Sequence, residues 1–120
     1  MSEKHSSHWL EREDIGDITV VRLKTPKFLD EDTTRGVFDP IYTLCGIGRS
    51  RLVLNLAGSD FLPSLALGKL VMLNRKVQAA DGRLALCCLS SVAEESLVLT
   101  HILSLFNVYA TEQEAVQSFE

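Results

Sequence analysis

The sequence is poor in the residues that announce specialised chemistries. Its three cysteines, Cys45, Cys87 and Cys88, are an odd number with two of them adjacent, which is no disulfide framework. Neighbouring side chains on a strand point to opposite faces, so Cys87 and Cys88 are expected to be small buried hydrophobes rather than a pair. The histidines, His5, His8 and His101, have no metal-ligand spacing with them. Basic residues number 12 against 16 acidic, and they are scattered apart from Arg75-Lys76. A nucleic-acid binder needs a concentrated basic face, so that class is excluded. No apolar run approaches the roughly 18–20 residues needed to cross a bilayer. The opening "MSEKHSSHWLERED" lacks the apolar centre of a secretory signal. A cytosolic protein without direct membrane insertion is expected.

What is present is enough apolar material for one core, 46% of 120 residues, laid out in alternating patterns. "DITVVRLK" (17–24) is rich in β-branched residues and reads as a strand, with an edge strand expected before it around His8–Arg12. "RLVLNLAG" (51–58) alternates in its first half and is strongly apolar, as expected of a central strand; "RLALCCLS" (83–90) is a nearly continuous apolar run, as expected when both faces are covered, and "NVYA" (107–110) is a short fourth. Between them lie helical patterns. Pro40 would break a helix interior, so a short turn after Asp30 is expected, then a restart with Asp39 as cap, ending near Gly46 or Gly48. Ser64 to Ala80 reads as a helix stopped by Asp81-Gly82, Val92 to about Thr100 as another, and Thr111 to Phe119 as a last one opened by a Thr111/Glu114 capping box. The expectation is an α/β fold with a mixed sheet of four to five strands and about four helices. Residues 1–16 read as an N-terminal tail with that edge strand, and 17–119 as the domain.

The obvious enzyme chemistries fail one by one. "CGIGRS" has only two glycines and leads from a helix into a strand, the reverse of the turn that cradles a nucleotide phosphate. Strand 51–58 ends in Ala57-Gly58, with no carboxylate pair to hold a divalent metal as a phospho-receiver would. Acyl transfer would need a base near Ser64, and "PSLALG" lacks the glycines of a nucleophile elbow. No enzyme activity and no cofactor are expected.

The stretch "LVLNLAGSDFLPSLALGKLVMLNRKVQAADGRLALCCL" resembles the STAS family, the small domains that include bacterial anti-sigma-factor antagonists. In that family the central strand leads to a loop of the form Asp-Ser-Ser-Gly-Leu-Gly and then a helix. Pro63, Ser64, Leu65, Ala66, Leu67 and Gly68 occupy those positions here. The resemblance continues through Thr100-His101-Ile102, where the family usually has Thr-Gly-Leu, and through Phe106 and Ala115. It implies regulation by protein binding: the loop's first serine, here Ser64, is phosphorylated by a partner that is both kinase and anti-sigma factor. The unphosphorylated antagonist binds that partner and frees the sigma factor. Pro63 replaces the family's acidic residue and Leu65 its second serine.

Two readings of Ser64 stay open, a regulatory phosphosite and an ordinary helix N-cap worth about 1 kcal/mol. Around the helix, Ala66, Leu67, Leu70, Leu73 and Val77 fall on the expected core side. Leu65, Gly68, Lys69, Met72 and Lys76 fall opposite, as an apolar stripe bordered by positive charge. Gly68 is costly inside a helix, which suggests another chain approaching there. The expected partner surface is Gly58, Ser59, Asp60, Leu62, Pro63, Leu65, Gly68, Lys69 and Met72, around Ser64. The expected partner is an anti-sigma factor or kinase-like switch protein, and a homodimer is left open. The principal alternative is a STAS-like accessory subunit of an ABC-type transporter, binding its ATPase without phosphorylation. A ligand-sensing or purely structural module is a third.

Overall fold

The computed structural model describes residues 2–25, 28 and 30–119. The chain runs β1 (Ser2–Ser6), β2 (Leu10–Ile15), β3 (Ile18–Leu23), α1 (Glu31–Gly46), β4 (Arg51–Asn55), α2 (Ser64–Ala79), β5 (Arg83–Cys87), α3 (Ser91–Leu99), a short 3₁₀ turn (Leu103–Leu105), β6 (Asn107–Tyr109) and α4 (Glu112–Gln117). The strands form one six-stranded sheet in sequence order, where four to five were expected. The additional strand is β1, which the polar sequence "SEKHS" does not advertise. It pairs antiparallel along β2, so the strand expected at the edge is interior. β2 and β3 are also antiparallel, whereas β3, β4, β5 and β6 run parallel.

α1, α2 and α3 lie on one face of the sheet. Val37, Phe38 and Ile41 of α1, Ala66, Leu70, Leu73 and Val77 of α2, and Ala93 and Leu97 of α3 pack on Val21, Leu52, Leu54, Leu84 and Leu86. α4 covers the other face, where Ala115, Val116 and Phe119 meet Val20, Val53, Ala85 and Cys87. Both faces of β4 and β5 are therefore covered, which explains their continuous apolar sequences. The five α2 residues assigned to the core from periodicity are all buried.

α1 corrects the expectation of a break at Asp39. It is one helix, capped by Asp30, whose side chain accepts from the Thr33 N–H at 2.8 Å, with Pro40 inside it. A proline there costs about 3 kcal/mol. Val37, Phe38, Ile41 and Leu44 are all buried, and burial contributes roughly 1.5–3 kcal/mol for each such side chain, so packing wins. One turn earlier the Trp9 indole lies where a Cβ of Gly36 would stand, so only glycine lets β2's neighbour close on the helix.

Three helices end in the same motif. At each, a residue with positive φ follows the C-cap: Gly48 at 86°, Asp81 at 57° and His101 at 61°. Each is flanked by the two backbone bonds of a Schellman ending, such as His101 N–H to Val98 carbonyl and Ile102 N–H to Leu97 carbonyl, both 3.0 Å. "CGIGRS" is thus a helix exit, as its sequence suggested. His101 holds a backbone conformation that favours glycine, the residue usual at that place in the family it resembles. Cys88 also has positive φ, 62°. That turn takes it off the strand, so Cys88 and Cys87 pack in the same cluster rather than on opposite faces. Cys87 is buried, and burial, then the Cys88 side chain, pushes its thiol pKa up.

Candidate partner-binding site

The loop from β4 to α2 is anchored from three sides. The Leu56 N–H donates to the Cys87 carbonyl at 3.0 Å, tying the loop to the end of β5. Ser59 is buried; its hydroxyl donates to the Thr25 carbonyl at 2.7 Å, tying the loop to the end of β3. A Cβ on Gly58 would overlap the Leu23 carbonyl oxygen, so this close approach needs glycine. The Ser90 hydroxyl donates to the Asp60 carbonyl at 2.9 Å, joining the loop to the start of α3. Leu62 is 1% exposed and belongs to the core. Burial therefore takes Ser59 and Leu62 out of the accessible surface, and Gly58 is half-buried against β3. Their work is to hold the loop rigid.

Outside that anchor stand Asp60, Phe61, Ser64, Leu65, Gly68 and Met72, all exposed, with Pro63 and Lys69 half-buried. Phe61 is 49% exposed, Leu65 44% and Met72 48%. Phe61 was not among the residues singled out from sequence. Its signal was an aromatic side chain between the turn residues Asp60 and Pro63, in a loop the neighbouring strands and helix must hold at the surface. Gly68 has nothing within 4 Å of where a Cβ would be, so no contact inside the domain requires glycine there.

Ser64 is the first residue of α2, and Pro63 holds the cap position without a side-chain acceptor. This replaces the N-cap reading of Ser64: a cap must sit one residue before the helix, and the proline ring takes that place. The other three helices are all capped, by Asp30, Ser90 and Thr111, each accepting from the backbone N–H three residues on. Leu67 N–H bonds to the Pro63 carbonyl at 3.0 Å, leaving the N–H groups before it without a helical acceptor. No acidic residue stands in the first turn. The Ser64 hydroxyl makes no hydrogen bond among the described residues. The positive end of α2 is thus open beside an exposed hydroxyl.

The helix bearing this surface is fixed to α1. The Tyr42 hydroxyl donates to the Lys69 carbonyl at 2.9 Å, and Lys76 Nζ sits 5.3 Å from the centre of the same ring. Burial, then the Asp39 carboxylate, pushes the Tyr42 pKa up to about 12, so the bond persists across the physiological range.

On the opposite face an ionic cluster locks α4 to the sheet. Arg22 donates to Glu112 at 2.8 Å, to Glu11 at 2.6 Å and to Glu13 at 2.9 Å. Asn55 adds a bond to Glu112 at 3.0 Å. The hydrogen bond from Arg22, opposed by burial and helped by Asn55, holds the Glu112 carboxyl below its usual range. Among the described residues no group of three or more His, Cys, Asp or Glu side chains could hold a metal ion. No helix among them is long and apolar enough to cross a membrane.

Residues 10–115 match the STAS domain family. The chain belongs to that family. Among solved structures, a putative anti-sigma factor antagonist from Thermotoga maritima is 22% identical, with a TM-score of 0.80 over 92% of this chain and 94% of that one. A STAS domain protein from Planctomyces limnophilus is 23% identical, with a TM-score of 0.79 over 91% and 96%. The Bacillus cell fate determinant SpoIIAA in its phosphorylated form is 21% identical, with a TM-score of 0.72 over 92% and 99%. At these identities the likeness establishes the STAS fold alone. No curated protein matches the chain.

Proposed function

We propose that this STAS domain is a non-catalytic regulatory protein that binds a kinase-like anti-sigma factor, and that phosphorylation of Ser64 switches the binding off. The observation carrying this reading is the start of α2, where an exposed serine hydroxyl without a hydrogen bond among the described residues stands at a helix N-terminus that has no side-chain cap. A phosphate there adds about −1.5 to −2 charge and meets free backbone N–H groups and the positive pole, so the fold accommodates it. The same charge beside the exposed Phe61, Leu65 and Met72 would be desolvated when a partner covers them, so it opposes docking. The contact surface is Asp60, Phe61, Pro63, Ser64, Leu65, Gly68, Lys69 and Met72, positioned by Gly58, Ser59 and Leu62. Solved relatives described as anti-sigma factor antagonists support the reading, among them SpoIIAA, whose structure is known in both an unphosphorylated and a phosphorylated form.

Peptide mass spectrometry of the protein from its own host tests the switch. Phosphate on Ser64, absent in Ser64→Ala, is the expected result. Because the hydroxyl caps nothing, Ser64→Ala should leave stability within about 0.5 kcal/mol of wild type, so its effects on binding are direct. An unmodified Ser64 across growth conditions refutes the switch and favours constitutive docking through Pro63 and Leu65, as in a transporter accessory subunit.

A further inference from the structure

α2 and α3 pack on the same face of the sheet, and they carry charge of opposite sign. α2 contains Lys69, Arg75 and Lys76 and no acidic residue, whereas α3 contains Glu94 and Glu95 and no basic residue. Among the described residues none of these five forms an ion pair. Both helices also leave large apolar side chains in water: Leu65 and Met72 on α2, and Val92, Val98 and Leu99, the last 69% exposed, on α3. Lys76 stacks on the Tyr42 ring, while Lys69 and Arg75 on α2 and both glutamates on α3 stand beside exposed apolar side chains with no ion pair among the described residues, an arrangement that marks an interaction surface.

The spacing along the two outer faces matches. On α2, Leu65 and Met72 are seven residues apart with Lys69 between them; on α3, Val92 and Leu99 are seven apart with Glu95 between them. Each stripe therefore spans about 10.5 Å, apolar at both ends and charged in the middle. Each helix returns the chain between successive parallel strands, β4 to β5 and β5 to β6, so the two helices run in the same direction. A twofold axis between them and parallel to them would lay α2 of each copy along α3 of the other, and would make the contact twice.

We propose that this face joins two copies of the chain in a symmetric dimer. Leu65 meets Val92, Met72 meets Leu99 and Lys69 meets Glu95, each pair occurring on both sides of the axis. Gly68, which no contact inside the domain requires, lets the partner's α3 approach the α2 backbone closely. An isologous contact of this kind closes on itself and stops at two copies. The α2 half of the contact is also the surface assigned above to the regulatory partner, so dimer and partner exclude one another; the dimer itself does not depend on that assignment.

Sedimentation equilibrium on wild type, Lys69→Glu, Glu95→Lys and an equimolar mixture of the two variants tests the arrangement. Wild type should dimerise. Each variant alone places like charges together twice and should dimerise at least about tenfold more weakly. In the mixture both contacts are again attractive, so a heterodimer of near wild-type affinity should appear. Glu95 is exposed and Lys69 half-buried, and far-UV circular dichroism establishes that each variant is folded. A wild type that stays monomeric at millimolar concentration overturns the proposal. So does a dimer that both variants form unchanged, or a mixture that fails to recover.

Discussion

Replacing His101 by glycine should stabilise the domain. His101 follows the C-cap of α3 with φ of 61° and closes the helix through its own N–H and that of Ile102. An L-residue held in the left-handed region costs about 1–2 kcal/mol, which glycine does not incur. Glycine's greater freedom in the unfolded chain offsets roughly 0.5–1 kcal/mol of that. The imidazole is exposed and makes no hydrogen bond among the described residues, so nothing else is lost. The net gain is therefore about 0.5–1 kcal/mol, or about 2–5 °C in Tm for a chain of this size. Urea unfolding followed by fluorescence of Trp9, the single tryptophan, measures it, with an unchanged m-value showing that the native and unfolded states are otherwise the same. Gly48→Ala provides the opposite sign in the same motif at φ of 86° and should cost about 1 kcal/mol. A His101→Gly protein no more stable than wild type, beside a destabilised Gly48→Ala, would refute the reasoning.

The remaining expectations concern the loop and the ionic cluster. Gly58→Ala should cost more than about 2 kcal/mol, because its Cβ would overlap a backbone carbonyl of β3 that cannot move without disturbing the sheet. A loss below about 0.5 kcal/mol on chemical denaturation would mean the loop is not held as described. Glu112→Gln should flatten the acid limb of the stability profile. The Glu112 pKa is lower folded than unfolded, so its contribution is full above its ordinary value near 4.5 and disappears as pH falls through the folded value. The stability gap between wild type and Glu112→Gln should be largest near neutrality and close below about pH 4.5; a gap independent of pH would sink the assignment.

The sequence made α2, β4 and β5 readable because their patterns are complete: one apolar face at helical spacing, and two runs apolar throughout. It misled at Pro40, where the local rule against proline is right in isolation and loses to the burial of Val37, Phe38, Ile41 and Leu44. Ser64 was ambiguous for a related reason, since serine suits both a cap and the first helical turn, and only the position of Pro63 separates them. β1 escaped notice because an outermost strand buries little and its composition need not be apolar. In the candidate site the outer stripe of α2 was legible from periodicity. The buried roles of Ser59 and Leu62 were not, because they depend on β3 and the sheet meeting a loop far away in the chain. The exposed apolar residues of α3 were equally hidden, because its apolar side chains fall on both faces, Ala93 and Leu97 inward and Val92, Val98 and Leu99 outward.

The order of the six strands has a consequence for how the chain acquires its shape. Each strand pairs with the one made just before it, and no later segment must slip between two that are already joined. As the polypeptide leaves the ribosome, every new strand meets a waiting neighbour at the growing rim, with its connecting helix already above it. Each parallel pairing still has to close a crossover, as Thr19 with Leu52 and Leu52 with Leu84, so assembly follows the direction of synthesis but is slowed by those closures. α4, the last element of the domain, then covers the other side of the sheet and brings Glu112 to Arg22. Without α4 the face formed by Val20, Val53, Ala85 and Cys87 would be open to water, so this short helix acts as the latch of the domain.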